Sequence, residues 1–295
     1  MSMLHVMDAR LDAQLRRHDW GGVSVRLVHY LLLVVFSVIF AIPLLWMLST
    51  SLKPTSEAMT FPPQWIPSTI QFSNYLHAWE SVSFGRFFFN SFVYALFSTA
   101  GVLFSCSLAA YALARLHFRF RDLIFYIVIA TLMLPPQVTL IPIYSMFTGL
   151  HWVNTLLPLI VPQWFGVNAF SVFLLRQFFM TLPHNLDDAA RIDGCGEFGI
   201  WWRIVLPLSR PALGVVALFQ AIYAWNDFFG PLIYETSQAN FTVPLGLTYF
   251  QGQYATLHLN WMMAMSIVTV LPIFVVFFLF QKYFIQGITL VGVSR

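Results

Sequence analysis

Charged residues are scarce in this chain of 295 residues: they make up 9% of it, whereas soluble globular domains carry about 25%. A chain so poor in charge cannot cover a water-facing surface of its size. Hydrophobic residues make up 59% of the chain and aromatic residues 18%, and the mean hydropathy is +0.73. This composition excludes an ordinary soluble domain and predicts an all-α integral membrane protein surrounded by lipid.

Lysine is almost absent, since only Lys53 and Lys282 occur. A phosphate-binding P-loop needs Gly-Lys followed by Ser or Thr, and here the lysines follow Leu52 and Gln281. ATP hydrolysis, if it drives this protein, therefore belongs to another chain. The H-E-x-x-H and G-x-S-x-G motifs are also absent, and no two of the eight histidines lie within ten positions. We expect no catalytic residue, no metal ligand and no cofactor bound by this chain.

Six apolar runs are long enough to cross a membrane, because a helix needs about 20 apolar residues to span about 30 Å of hydrocarbon. Prolines 135, 136, 158, 162 and 272 fall within these runs, where we expect them to kink helices rather than end them. The runs are 27–48, 87–114, 123–146, 152–175, 206–229 and 261–281.

Basic residues lie almost entirely on one side of these six spans, with 13 on that side and only Lys53 and Arg86 on the other. By the positive-inside rule, we expect both termini to be cytoplasmic. The basic residues are dispersed, which argues against a nucleic-acid partner despite the net charge of +3. We divide the chain into a cytoplasmic N-terminal segment (1–26), a first span with its outer loop (27–85), a transmembrane core (86–284) and a cytoplasmic tail (285–295).

The loop after the fourth span carries helix signals. Asn185 is a good N-cap, acidic residues follow in the first turn, and Gly194 suits the left-handed position after a helix end. These signals predict a short helix over 186–193. Such a helix is marginal alone in water. Either a partner supports it, with Ala189 and Ala190 as a small-residue face, or it is an interfacial amphipathic connector.

The loop also resembles the EAA signature of ABC-importer permeases, in which an acidic residue and two alanines precede a glycine, followed by nine residues and I-x-L-P. The spacing matches throughout, but Asp188 stands where the family usually has glutamate. The resemblance implies a coupling helix between spans four and five that docks on cytoplasmic ABC ATPase subunits, which would bind ATP and Mg. The residues it assigns to coupling are Asp188, Ala189, Ala190, Arg191, Asp193, Gly194, Gly196, Leu206 and Pro207.

Other motifs are similar to the second permease subunit of maltose-type transporters. They are Ser51-Leu52-Lys53 with Glu57, Asn74-Tyr75, Asn90-Ser91, Trp225-Asn226-Asp227-Phe228 and Gln281-Lys282-Tyr283-Phe284. The resemblance implies the type I importer fold, a second homologous permease subunit, an extracytoplasmic solute-binding protein and a sugar as cargo.

Polar groups inside the spans are candidates for a substrate pathway because they are costly in lipid. Amide, hydroxyl and aromatic groups would suit a sugar, although for any single residue hydrogen bonding between helices is the simpler explanation. The candidates are Asn90, Gln163, Asn168, Gln220, Tyr223, Asn226 and Asp227.

We therefore predict a permease subunit of an ABC importer for a sugar, and not an enzyme. A glycerol phosphate ester or an amino acid is an alternative cargo. A transporter that works without an ATPase is a further alternative, although coupling by ions usually places ionisable groups near the middle of the membrane.

Overall fold

A computed structural model describes residues 3–254 and 258–292, with side chains for 25–254 and 258–281. These residues form fourteen α-helices and several short turns of 3₁₀- or π-helix, joined by loops. The helices are α1 (Met3–Ser51), α2 (Ser73–Ser81), α3 (Phe84–Arg115), α4 (Arg121–Ala130), α5 (Pro136–Gly149), α6 (Leu157–Ile160), α7 (Ala169–Thr181), α8 (Asn185–Ile192), α9 (Glu197–Ile200), α10 (Leu206–Leu208), α11 (Arg210–Asn226), α12 (Phe229–Tyr234), α13 (Val243–Tyr254) and α14 (Leu259–Gly292).

Four stretches of helix are long and apolar enough to cross a membrane: Val25–Ser51, Phe84–Arg115, Leu157–Thr181 and Leu259–Gln281. Two bent helix pairs pass the same test only when each pair is taken together. Arg121–Met133 and Pro136–Gly149 meet at 99°, and Glu197–Leu208 and Arg210–Asn226 meet at 82°. The described chain therefore has between four and six spans, and the predicted multi-pass, all-helical membrane protein is confirmed.

The expectation that prolines kink the spans without ending helices is wrong at Pro135 and Pro136. The first helix of this span is followed by a 3₁₀ turn that ends at Met133, and α5 starts at Pro136. Because the residue before a proline is pushed out of the helical region, Leu134 (ψ 119°) and Pro135 (ψ 129°) are both extended. At Pro272 the helix does not end, as expected, since α14 continues through it.

The most extensive packing between helices is that of α3 against α7 and α11. Helix α14 packs against α1, α2 and α11. Apolar side chains fill a core at each end of α3. At one end Tyr111, Phe179 and Trp201 pack together beside α8. At the opposite end the core contains Phe87 and Phe250 with neighbours from α11 and α14.

The opposite end is also fixed by a polar junction around Lys53, which is buried although no carboxylate pairs with it in the described part of the chain. Its ammonium lies 4.0 Å from the ring centre of Trp46 and 3.3 Å from the Thr50 hydroxyl. Its backbone carbonyl accepts hydrogen bonds from the side-chain amides of Asn74 (2.9 Å) and Asn260 (3.0 Å). This junction ties α1 to α2 and α14.

Candidate functional site

The entry to α8 is held on the end of α3 by a buried ion pair. Arg115 is 2% exposed and Asp187 is 1% exposed, and a guanidinium nitrogen lies 3.4 Å from a carboxylate oxygen. Arg115 also donates a hydrogen bond to the Leu182 carbonyl (2.8 Å) and lies 3.0 Å from His184 Nδ1. The Arg115 guanidinium of α3 thus contacts the Leu182 carbonyl, the His184 ring and the Asp187 carboxylate. These three contacts fix the start of α8 against the end of α3.

A second, solvent-exposed set of charges joins α8 to α9. Arg191 donates hydrogen bonds to Asp188 (3.1 Å) and Glu197 (3.0 Å). The other oxygen of Glu197 accepts a hydrogen bond from the Tyr111 hydroxyl of α3 at 2.6 Å. The hydrogen bond to Glu197 raises the pKa of Arg191 above its usual value. Asp188 therefore takes part in an exposed pair, whereas its neighbour Asp187 is buried.

The two alanines of α8 do not share one face, so the predicted small-residue face is wrong for Ala190. Ala190 is buried in the core that contains Tyr111 and Trp201, because positions 187 and 190 lie one helical turn apart and both point inward. Ala189 is exposed instead. Leu186 and Ile192 are exposed one turn to either side of it, and Ile192 is 86% exposed. Leu186, Ala189 and Ile192 thus form an outward-facing apolar row on α8.

The predicted helix over 186–193 exists as Asn185–Ile192, but the predicted N-cap is wrong. The chain is already helical at Asn185, because the His184 carbonyl accepts the first bonds, from the backbone N–H groups of Asp187 (2.9 Å) and Asp188 (3.2 Å). No side chain caps this end, which the contacts of Arg115 fix instead.

The other end of α8 is as predicted. Asp193 is the C-cap that follows Ile192, and Gly194 has φ +80°, in the left-handed region. The backbone N–H groups of Gly194 and Cys195 bond to the carbonyls of Arg191 (3.0 Å) and Ala190 (2.9 Å). These two bonds are those of a Schellman motif, in which glycine adopts the left-handed conformation without steric cost.

The chain from α8 leads directly into α11. Gly196 is extended before α9, and the residues from Trp201 to Val205 form one π-helical turn. Leu206 and Pro207 follow in α10, and the 82° bend comes before α11. Trp201 is completely buried in the core beside α8. The backbone from α8 to α11 is therefore continuous and is held in this core by a buried ring.

Two of the predicted pathway residues meet where the helix of span four is broken. Between the 3₁₀ turn Val161–Phe165 and α7, Gly166 has φ +69° and Asn168 caps α7 by accepting a bond from the Ser171 N–H (3.0 Å). The Asn168 amide donates to Gln220 of α11 at 3.2 Å. Gln220 is 3% exposed, and its own amide nitrogen has no hydrogen-bond partner in the part of the chain that the structure describes.

The remaining pathway residues lie in three places. Gln163 is half-buried on the 3₁₀ turn, and its carbonyl accepts a bond from Ser105 (2.9 Å). Tyr223 and Asn226 are exposed on α11. Asn90 instead serves the end opposite α8, where its amide donates to the carbonyls of Ala239 and Phe241 at 3.0 Å each.

Asp227 also lies at that opposite end. One of its oxygens accepts a bond from the Tyr94 hydroxyl (2.9 Å) and the other accepts one from the Gly230 N–H (3.0 Å). The structure therefore does not gather all seven pathway candidates around one cavity. The pair Asn168 and Gln220 lies near the broken helix, while Asn90 and Asp227 hold the segment that follows α11.

Glu235 is a buried acid near Asp227 that the sequence analysis missed. It lies beyond α12 and is 4% exposed, and among the described residues neither of its carboxyl oxygens has a hydrogen-bond partner. Burial, and secondarily the charge of Asp227, raises its pKa to about 8. A single glutamate in a polar loop gives no sequence signal of burial, so only the fold reveals it.

Replacing Glu235 with glutamine should remove a pH dependence of stability. An unfolded glutamate ionises near pH 4.3, whereas Glu235 keeps its proton until about pH 8. Between these values the folded chain binds more protons, so its free energy of unfolding falls as the pH rises. Thermal unfolding of the detergent-solubilised protein from pH 5 to 8 should show a shallower fall for Glu235→Gln than for wild type. The exposed Glu80→Gln serves as the control, and equal slopes for both variants would contradict the prediction.

Known proteins are similar to this chain over most of its length. Residues 101–290 match the family described as "Binding-protein-dependent transport system inner membrane component". The arabinooligosaccharides transport system permease protein AraQ of Bacillus subtilis is 36% identical over 281 residues, covering 94% of this chain and 99% of AraQ. The diacetylchitobiose uptake system permease protein NgcG of Streptomyces coelicolor is 32% identical, covering 86% of this chain and 84% of NgcG.

A solved structure has the same fold. It is a chain of a bacterial ABC transporter involved in the import of the acidic polysaccharide alginate, with a TM-score of 0.76 and 24% identity. The similarity covers 88% of this chain and 95% of that one.

Proposed function

The chain belongs to the family of binding-protein-dependent transport system inner membrane components, and from this premise we propose that it is one permease subunit of an ATP-driven sugar importer. The observation that carries the proposal is the two-sided α8. Its inner side is fixed to α3 by Asp187 and Arg115, and its outer row of Leu186, Ala189 and Ile192 is open to a partner.

In this proposal α8 is the coupling helix. A groove of a cytoplasmic ABC ATPase subunit receives the outer row, while Asp188 and Arg191 lie at its edge. ATP and Mg bind to the ATPase subunits, and closure of these subunits displaces α8. The buried ion pair transmits this displacement to α3, and the chain through Gly196, Trp201 and Pro207 transmits it to α11.

The cargo passes the broken helix of span four. The side chains of Asn168 and Gln220 place neutral amides at this break, and neutral hydrogen-bonding groups suit the hydroxyls of a sugar. The Trp164 indole packs directly against Gly101, since a Cβ added to Gly101 would lie 2.7 Å from the ring. Part of the Trp164 side chain is exposed. Aromatic rings and amides on the same broken span suit a sugar, which presents both hydroxyls and apolar ring faces.

The orientation of the chain follows from six spans, with each bent pair of helices counted as one span. Both termini then lie in the cytoplasm of a bacterial cell with α8, on the side rich in Lys and Arg. A second homologous permease subunit completes the pathway. An extracytoplasmic binding protein delivers the sugar to the opposite side, where the segment 230–260 receives it.

Affinity purification of the tagged full chain from its native membrane, with mass spectrometry of the bound proteins, tests the proposal. We expect a P-loop ATPase, a second six-span permease and a binding protein, whose ligand can then be identified by titration with oligosaccharides. A lone chain or a simple homodimer in mild detergent would contradict the importer assignment. A binding protein that binds only a phosphate ester or an amino acid would overturn the sugar assignment and leave the importer intact.

A further inference from the structure

The loop between α1 and α2 presents an uncharged and strongly apolar surface. Residues 58–79 contain no Asp, Glu, Lys or Arg, and Glu57 and Glu80 bound this stretch. Phe61 is 94% exposed and Ile66 is 83% exposed within the structure of this chain. Water-facing loops rarely present apolar side chains so densely, and such a patch marks an interaction surface. Its exposed apolar side chains over residues 58–72 are Met59, Phe61, Trp65, Ile66, Ile70 and Phe72.

The loop turns back along α1 instead of extending away from its end. The Trp65 ring packs edge-on against Trp46 with ring centres 4.9 Å apart. The Ser49 hydroxyl donates a hydrogen bond to the Trp65 carbonyl. Trp46 lies five residues before Ser51, the last residue of α1, which corresponds to about 7.5 Å along the helix axis. Trp65 is therefore level with the last turns of the span.

The depth of those turns follows from the length of the span. The apolar run of α1, 27–48, contains 22 residues, or about 33 Å of helix, against a hydrocarbon core of about 30 Å. Its last turns thus lie at the boundary between hydrocarbon and headgroups, where tryptophan is enriched in membrane proteins. Trp65, at the centre of the apolar loop, lies at the same level.

The loop is fixed at both ends, so its apolar tip has a defined position. Glu57 accepts hydrogen bonds from the Ser68 hydroxyl and from the Ser68 N–H at 3.1 Å. The Gln71 N–H donates to the Leu52 carbonyl (2.9 Å). These bonds close the loop on the end of α1 and leave Phe61 and Ile66 on its outside.

We propose that residues 58–72 form an interfacial anchor that inserts Phe61 and Ile66 among the phospholipids of the leaflet at the C-terminal end of α1. The anchor sets the depth and tilt of α1, because Trp46, Ser49 and Leu52 hold the loop rigidly on that helix. Phospholipid is the occupant favoured over a protein, since the patch is continuous with a lipid-spanning helix, lies at interfacial depth and lacks charge. This inference requires only that the chain spans a membrane.

Spin labels on the full chain in phospholipid bilayers test the anchor. Phe61→Cys and Ile66→Cys are labelled in a Cys195→Ser background, because Cys106 is completely buried. Accessibility to oxygen, which concentrates in lipid, is compared with accessibility to a water-soluble nickel chelate. Val38→Cys, exposed in the middle of the first span, reports lipid, and Glu80→Cys reports water.

At Phe61 and Ile66 we expect oxygen accessibility several-fold above that at Glu80 and chelate accessibility several-fold below it. Chelate accessibility equal to that at Glu80 would place the loop in water and overturn the proposal. Low accessibility to both reagents, whether permanent or induced by a binding protein or a second permease, would show that a protein covers the patch and would equally overturn it.

Discussion

Replacing Asp187 with alanine is expected to lower the free energy of unfolding by about 3–5 kcal/mol, the usual cost of removing one partner of a buried ion pair. The matched change Asp188→Ala, one residue along the same helix, should cost less than about 1 kcal/mol, because Asp188 pairs with Arg191 in solvent. Asp187 is 1% exposed, and its loss leaves the Arg115 guanidinium buried without a counter-charge.

Two readouts separate this effect from a general loss of packing. Thermal unfolding in detergent gives the stability difference between the two alanine variants. Hydrogen exchange of the α8 amides reports whether the helix leaves α3, which should occur in Asp187→Ala and not in Asp188→Ala. If both variants unfold and exchange alike, the ion pair does not position α8.

Arg115 provides a further check. The double variant Arg115→Met, Asp187→Leu replaces both charges with apolar groups, and it should recover part of the stability lost in Asp187→Ala, because no buried charge remains unpaired. Recovery of stability without recovery of transport would indicate that the charges also serve the movement of α8. A double variant less stable than Asp187→Ala would contradict the explanation by an unpaired charge.

Local signals were sufficient to predict α8. Two acidic residues near its start, and a glycine in the position that ends a helix, predicted its bounds to within one residue. The Schellman bonds at Gly194 depend only on residues within one turn, so the sequence contains their cause. The long apolar runs similarly predicted the spanning helices, since hydrocarbon requires a continuous hydrogen-bonded helix.

The orientation of α8 could not be predicted, because it depends on residues distant in the sequence. In the sequence Arg115 indicates only the topology. In the structure it binds the carboxylate of Asp187, and both Asp187 and Ala190 face inward. Asn185 was predicted to cap the helix because an asparagine often does so. The contacts of Arg115 instead start the helix one residue earlier.

The same limit applies at the opposite end. The burial of Glu235 and of Lys53 results from packing between helices that no local pattern encodes. Asn90 looked like a pathway residue because an amide in a span is costly, but its cost is met by two loop carbonyls. Polarity inside a span therefore identifies a residue that needs a partner, and only the fold shows whether that partner is the protein itself.

The outer row of α8 gives the second large effect. Replacing Ile192 with glutamate is expected to weaken binding of the ATPase by about 2–4 kcal/mol, or roughly 30- to 1000-fold, as for a central apolar contact of an interface. Ile192 is 86% exposed within this chain, so the change should leave the chain's own stability within about 0.5 kcal/mol of wild type. A charge placed in an apolar groove would be desolvated without a partner.

Recovery of the ATPase with the affinity-tagged chain, followed by titration of the purified ATPase onto the chain in lipid bilayers, measures this effect. Ile192→Val is the matched control, because it keeps an apolar side chain at the same position and should retain the ATPase. Ala189→Arg should act like Ile192→Glu, since both side chains belong to the row that we assign to the groove. Undiminished binding in both charged variants would exclude α8 as the docking helix. If the two charged variants bind the ATPase and only Asp187→Ala does not, the ion pair affects ATPase binding by stabilising the fold of the chain.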